Sequence, residues 1–205
     1  NWLVNRIPEA KQSLLQGVQV AQRSHDVYII MGYVILSSIE RHCNHVEKAY
    51  DYLYYAESKL QSWGVPGFVY QPWISVMRGN LLIDQGKLDE ALVKFKKMYL
   101  LLDNNPYALF PEHYPALRGL LDVLYVRAKS IGGQHKEALK ILEDKLINGG
   151  KNLQGFSLII GFIMRALLRF QLGNEDEALH DFRKAVDIAE KENCIMPFIE
   201  YSAGM

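Results

Sequence analysis

With 205 residues and a hydrophobic share of 49 %, the chain leaves no room for extensive disorder and is expected to form a single domain over 1–205 with a continuous core. Lys plus Arg equals Asp plus Glu at 23 each, so there is no long-range electrostatic pull towards nucleic acid or anionic membrane, and direct DNA contact by this segment is not expected. Cys43 and Cys194 are too few and too far apart to frame a disulfide scaffold, which suits free thiols in a reducing cytoplasm, and the longest apolar stretches are shorter than the roughly 20 residues of a membrane span.

One phrase recurs along the chain and orders its elements. A first loose copy is Pro8-Glu-Ala10-Lys-Gln-Ser-Leu14. The apolar stretch Val27 to Ile39 precedes a second, Asn44-His-Val-Glu-Lys-Ala49-Tyr-Asp-Tyr-Leu53. Met77, Leu81 and Leu82 lead, at helical steps, into a third, Gly86-Lys-Leu-Asp-Glu-Ala91-Leu-Val-Lys-Phe95. Leu117, Leu120, Leu121, Leu124, Tyr125 and Ala128 lead into Gly133-Gln-His-Lys-Glu-Ala138-Leu-Lys-Ile-Leu142. The stretch Phe156 to Phe170 precedes Gly173-Asn-Glu-Asp-Glu-Ala178-Leu-His-Asp-Phe182. The alanines are spaced 39, 42, 47 and 40 residues apart, so five copies of one repeat fill the chain.

Each phrase reads as the turn of a helix hairpin. Gly ends one helix by accepting the left-handed conformation, and an acidic residue starts the next at its positive end. Ala then sits where two helices approach most closely, and Leu or Phe four residues on fills the gap on the same face. Breakers separate the repeats: Gly64-Val-Pro66-Gly67, Pro106, Pro111, Pro115 and Gly149-Gly150. The expected class is therefore all-α, a right-handed superhelix of stacked antiparallel helix pairs with a period of about 40. The first repeat lacks an opening helix, and the tail Ile195 to Met205 contains Pro197 and Gly204, so both ends read as incomplete. Without an initiator Met or a signal-peptide pattern, the chain reads as a piece of a longer protein.

The Gly-x-x-x-Glu-Ala-Leu-x-x-Phe phrase resembles the tetratricopeptide repeat (TPR) family, whose usual repeat is shorter than this one. The longer period, and the tail Asn193-Cys-Ile-Met-Pro197-Phe198-Ile-Glu200-Tyr-Ser-Ala-Gly204-Met205, resemble the TPR-like sensor region of MalT-type regulators in the LuxR superfamily. The tail departs from that pattern at Tyr201-Ser-Ala, where Glu-Gly-Pro-Pro is more usual. The resemblance implies an effector-sensing and oligomerisation domain, with an ATPase and a helix-turn-helix outside this segment. Its partners would be a small-molecule effector or an inhibitory protein, and the full-length protein would self-associate. The competing reading is a free-standing TPR adaptor that grips a peptide or helix of a partner.

By that resemblance, the first helix of each pair lines a concave groove, at Trp73, Val76, Asn80, Ile83 and Asp84 in one repeat and at Met31, Val34, Ser38, Arg41 and His42 in the repeat before it. After the Ile131-Gly-Gly insertion the register is open by one residue, among Asp122, Val126, Arg127 and Lys129; the last repeat offers Ile160, Ile163, Leu167 and Phe170. Trp73 with Asn80 and Asp84 offers an aromatic face and polar groups to a sugar-like or amphipathic ligand, or else Trp73 packs between repeats. Arg41 and Arg127 form an anion clamp in one reading and solvated charges in the other.

Chemistry beyond binding is not expected. His42-Cys43-Asn-His45 has no second Cys/His pair at zinc spacing, so no metal site is assigned. Gly79 to Gly86-Lys87 has six residues between its glycines and Leu88 where Ser or Thr should hold magnesium, which is a helix and its cap and no phosphate loop. No catalytic constellation and no cofactor motif stands out.

Overall fold

A computed structural model describes residues 3–104, 114–148 and 155–202. Among these the elements are α1 (Ile7–Ser24), α2 (Ile29–His42), α3 (Val46–Ser62), α4 (Gly67–Asp84), α5 (Leu88–Asn104), α6 (Tyr114–Ile131), α7 (His135–Asn148), α8 (Gly155–Gln171), α9 (Glu175–Glu192) and α10 (Met196–Ser202), with no strand. Pro106, Pro111, Gly149, Gly150, Gly204 and Met205 lie outside the described residues. The all-α, TPR-like repeat class is what the structure has: α2 packs on α3, α4 on α5, α6 on α7 and α8 on α9. Two compact units divide the chain, one holding α1 to α5 and the other α6 to α10 together with Leu3–Asn5.

All four hairpin turns are built alike. Gly86, Gly133 and Gly173 have φ of +73°, +76° and +85°, and Asn44 takes the same place in its looser copy with φ +60°. Asn is the side chain that tolerates this region best after Gly. In each turn the residue at this position donates its N–H to a carbonyl three residues back, and the next residue donates to one five residues back; Gly86 to Ile83 and Lys87 to Leu82 are both 2.9 Å. This double bond pattern satisfies the last carbonyls of the first helix and reverses the chain. The Ile131-Gly-Gly insertion is resolved here, since Gly133 and not Gly132 carries the left-handed turn.

The alanines behave as the hairpin requires. Ala49, Ala91 and Ala138 are 0 % exposed and Ala178 is 6 % exposed. From Ala91's own helix, the Phe95 ring occupies the place a Cβ on Gly79 of α4 would take, so α4 and α5 meet backbone to ring. Ala91→Phe is expected to overpack this seam at a cost of about 1–3 kcal/mol. A melting temperature equal to that of the parent chain would refute the close approach.

Three local features differ from the sequence reading. Pro115 lies in the first turn of α6 and Pro197 in the first turn of α10, where a missing N–H costs nothing, so neither is a loop breaker. The tail, from Met196, is a helix. In the last repeat the gap-filling role is altered, because Phe182 is 37 % exposed and packs edge-on against Phe198 at 5.6 Å, while its neighbour Asp181 is fully buried.

Within the N-terminal unit, Glu40 is buried and carries its charge between two donors. Lys11 Nζ lies 2.5 Å from one carboxylate oxygen and His45 Nδ1 2.9 Å from the other. Burial pushes the Glu40 carboxyl up, but the Lys11 and His45 hydrogen bonds outweigh it and hold it below 4.5. A lowered folded pKa means stability that is complete above 4.5 and lost as pH falls through the folded value. Stability should therefore drop on acidification below pH 4.5, and Glu40→Gln should flatten that limb. Parallel melting-temperature profiles for parent and variant between pH 3 and 6 would contradict this.

Candidate functional site

In the C-terminal unit, α6, α7, α8 and α10 line a half-open cavity of about 450 Å3. The end of α6 contributes Arg127, Ser130 and Ile131, and the start of α7 contributes His135. From α8 come Met164, Leu167 and Gln171, and from α10 Glu200 and Tyr201. The spacing along α8 places its three residues on one helical face. That face is fixed by the core on its other side, where Ile159 and Ile163 pack with Ala185 and Ala189. Met164 joins a second cluster with Val123, Val126, Ala138 and Leu142, so one wall of the cavity is continuous with the core.

The α10 helix is held where it lines the cavity by its own first turn. The N–H groups of Ile195 and Met196 donate to the Leu3 carbonyl at 2.8 and 3.1 Å, which pairs donors that a helix start leaves without partners. Tyr201 then presents its ring to the Arg127 guanidinium, whose carbon lies 5.8 Å from the ring centroid. This is a cation–π contact, and it orients a planar fork of N–H donors.

The same unit holds a charged layer. Arg165 of α8 grips Asp181 of α9 bidentately at 2.7 and 2.5 Å. Arg169 reaches Asp181 at 2.8 Å and Glu143 of α7 at 2.9 Å. Burial pulls the Arg169 guanidinium down, but the Glu143 hydrogen bond and the charges of Asp181 and Glu177 raise it on balance. Three helices are thereby tied in one register around α8. On α6, Asp122 is buried with Lys145 at 3.1 Å, and Lys129 pairs with Glu137 at 3.1 Å.

Of the residues singled out from sequence, Arg127 and Leu167 line the cavity. The other α6 alternatives, Asp122, Val126 and Lys129, are buried, and so are Ile160 and Ile163 of α8. Phe170 is exposed. The remaining candidates belong to the N-terminal unit. Arg41 Nη1 and Asp84 Oδ2 are 3.0 Å apart, so α2 and α4 neutralise these two charges against each other. Asn80 is only 3 % exposed and lies within the helix packing, as do Val34, Val76 and Ile83. Trp73 is half-buried on α4, and its Nε1 is buried without a hydrogen-bond partner.

The His42, Cys43 and His45 cluster does not converge. His45 turns to Glu40, and burial together with the neighbouring Arg41 charge pushes the His42 imidazole below its usual range. Among the described residues no three His, Cys, Asp or Glu side chains are grouped to hold a metal ion, and no helix is long and apolar enough to cross a membrane. Along α3, Tyr50 and Tyr52 are half-buried. Tyr54 and Tyr55 are exposed, and Tyr52 and Tyr55 form a surface cluster with Tyr33 at centroid separations of 5.8 to 6.2 Å.

Sequence reasoning passed over Ser130, His135, Met164, Gln171, Glu200 and Tyr201. A signal existed for the last two: Pro197 followed by Phe-Ile-Glu-Tyr is compatible with a helix start. Comparison with curated proteins and with solved structures finds no match. The tetratricopeptide repeat profile matches residues 161–192, which span the second half of α8 and all of α9. The chain thus carries a TPR-like region, a type of fold that serves protein interaction.

Proposed function

We propose that this chain is the effector-sensing and oligomerisation domain of a cytoplasmic LuxR/MalT-type transcriptional regulator, in which a small molecule or an inhibitory protein docks on the first helices of the repeats. The observation that carries this reading is the cavity that α6, α8 and α10 line together, where one occupant contacts the first helices of successive repeats. An occupant that prefers one arrangement of those helices shifts the population towards it, by as much as its affinity differs between the two states. The tail resemblance from Asn193 onward supports the regulator setting. In the N-terminal unit the same reading gives Trp73, Arg41 and Asp84 to the partner-facing side, with Asn80 acting from within the packing.

A thermal-shift screen across sugars, nucleotides, amino acids and organic acids tests the sensor reading, since selective binding raises apparent stability. At least one class should raise the melting temperature, and Arg127→Ala should abolish the shift. If every class fails while a partner peptide or protein binds, the adaptor reading replaces it. The reading frame around the segment provides a separate test: a helix-turn-helix downstream and a phosphate loop upstream are the expected result.

A further inference from the structure

We infer that the outward seam of α9, with the start of α10 beside it, binds a second copy of this chain about a two-fold axis, an inference that rests on the oligomerisation part of the proposed function. The inward side of α9 is taken by Ala178, Asp181, Ala185 and Ala189, all buried. On an adjoining face, at steps of four, three and four residues, stand Leu179, Arg183, Val186 and Glu190, the spacing of a seam that meets another helix. Leu179 is 50 % exposed, Arg183 and Glu190 are exposed, and Val186 is half-buried. The apolar surface continues sideways from this seam. Phe182 touches Phe198, and Val186, Ala189, Ile195 and Phe198 line an open groove of about 460 Å3. A contiguous apolar strip left on the surface marks an interaction site.

The charges along the seam choose the occupant. Arg183 and Glu190 lie two helical turns apart with Val186 between them, and among the described residues neither forms an ion pair. A seam that is positive at one point and negative two turns further on is complementary to its own reversed copy. In an antiparallel pairing across a two-fold axis, Arg183 meets Glu190 of the second copy and Glu190 meets its Arg183, so one pair of residues yields two ion pairs. The same register sets Val186 beside the axis. It also brings Leu179 opposite Cys194 of the second copy, over the groove that Asn193, Cys194 and Ile195 help to line. The exposed leucine thereby reaches an apolar recess. A parallel pairing would instead set Arg183 against Arg183 and Glu190 against Glu190, which like-charge repulsion disfavours. Exposed ion pairs contribute little attraction themselves and serve here to fix direction and register, while burial of Leu179, Phe182 and Ile195 drives association.

Sedimentation equilibrium of this chain is the test. The parent chain should dimerise in the micromolar range. Arg183→Glu alone and Glu190→Arg alone each place like charges opposite one another twice, so each should weaken the dimer by at least about tenfold. Mixed in equal amounts, the two variants should associate again as a heterodimer, because each presents the charge that the other lacks. A chain carrying both substitutions should dimerise with itself. Recovery on mixing separates the charge register from a folding defect, which mixing cannot repair. A dimer untouched by either reversal, or single variants that stay apart when mixed, overturns this seam and leaves the oligomerisation reading in place. A parent chain that remains monomeric throughout the micromolar range overturns both.

Discussion

Replacing Asp181 with alanine is expected to cost about 3–5 kcal/mol of stability. Asp181 is 0 % exposed and accepts two hydrogen bonds from Arg165 and one from Arg169. Its removal leaves the Arg165 guanidinium, itself only 10 % exposed in its side chain, buried without a counter-charge. Arg169 is less affected, because Glu143 and Glu177 remain beside it. Taking out both members of the pair should behave differently. An Arg165→Met, Asp181→Leu double variant removes the desolvation penalty along with the attraction, and such replacements are often neutral or stabilising by about 1–4 kcal/mol. Urea unfolding followed by circular dichroism measures both. A loss under about 1 kcal/mol for Asp181→Ala would mean the pair is reached by water and worth no more than a surface bridge.

The same residue marks where sequence patterns stop being informative. The phrase Gly-x-x-x-Glu-Ala-Leu-x-x-Phe reports close helix approach and a left-handed turn, and both are local: a small side chain and a positive φ are needed wherever a hairpin closes. That is why Ala49, Ala91, Ala138, Ala178 and the four turns were legible. In the last copy the phrase holds but the packing does not. A buried Asp181, fixed by arginines of the partner helix, displaces Phe182 to the rim against Phe198. No period within α9 announces it, because the partner charges come from α8, well upstream in the chain.

The cavity was legible only in part, for a related reason. Which face of a first helix stays open depends on what packs against its other sides. On α8 the core takes Ile160 and Ile163, so of the expected residues only Leu167 reaches the cavity, beside Met164 and Gln171. Arg127 was reached as one of four alternatives on α6, because the Ile131-Gly-Gly insertion left the register open by one residue. Glu200 and Tyr201 were missed because Pro197 and Gly204 made the tail read as an incomplete end, whereas a proline in the first turn is an ordinary helix start. Arg41 and Asp84 were correctly put on first helices, but nothing in either segment reveals that the two charges meet each other.

Phe95→Ala should cost about 3–5 kcal/mol, as a fully buried ring is replaced by a cavity in a seam the backbone cannot close. The sharper result lies in its coupling to Gly79. In the parent chain, Gly79→Ala sets a methyl group where the Phe95 ring already sits, so it should destabilise by about 1–3 kcal/mol. With the ring gone, the same substitution loses the three nearest atoms it would have met in the middle of α4. There Ala exceeds Gly in helix propensity by about 0.8–1 kcal/mol, so Gly79→Ala should then stabilise. The sign of one substitution is thus set by a side chain sixteen positions away in sequence, and the double-mutant cycle reads the coupling directly. A Gly79→Ala effect of equal size in both backgrounds would show that something other than Phe95 fills the space above Gly79. The close packing of α4 on α5, and with it the physical meaning of the repeated phrase, would then need a different explanation.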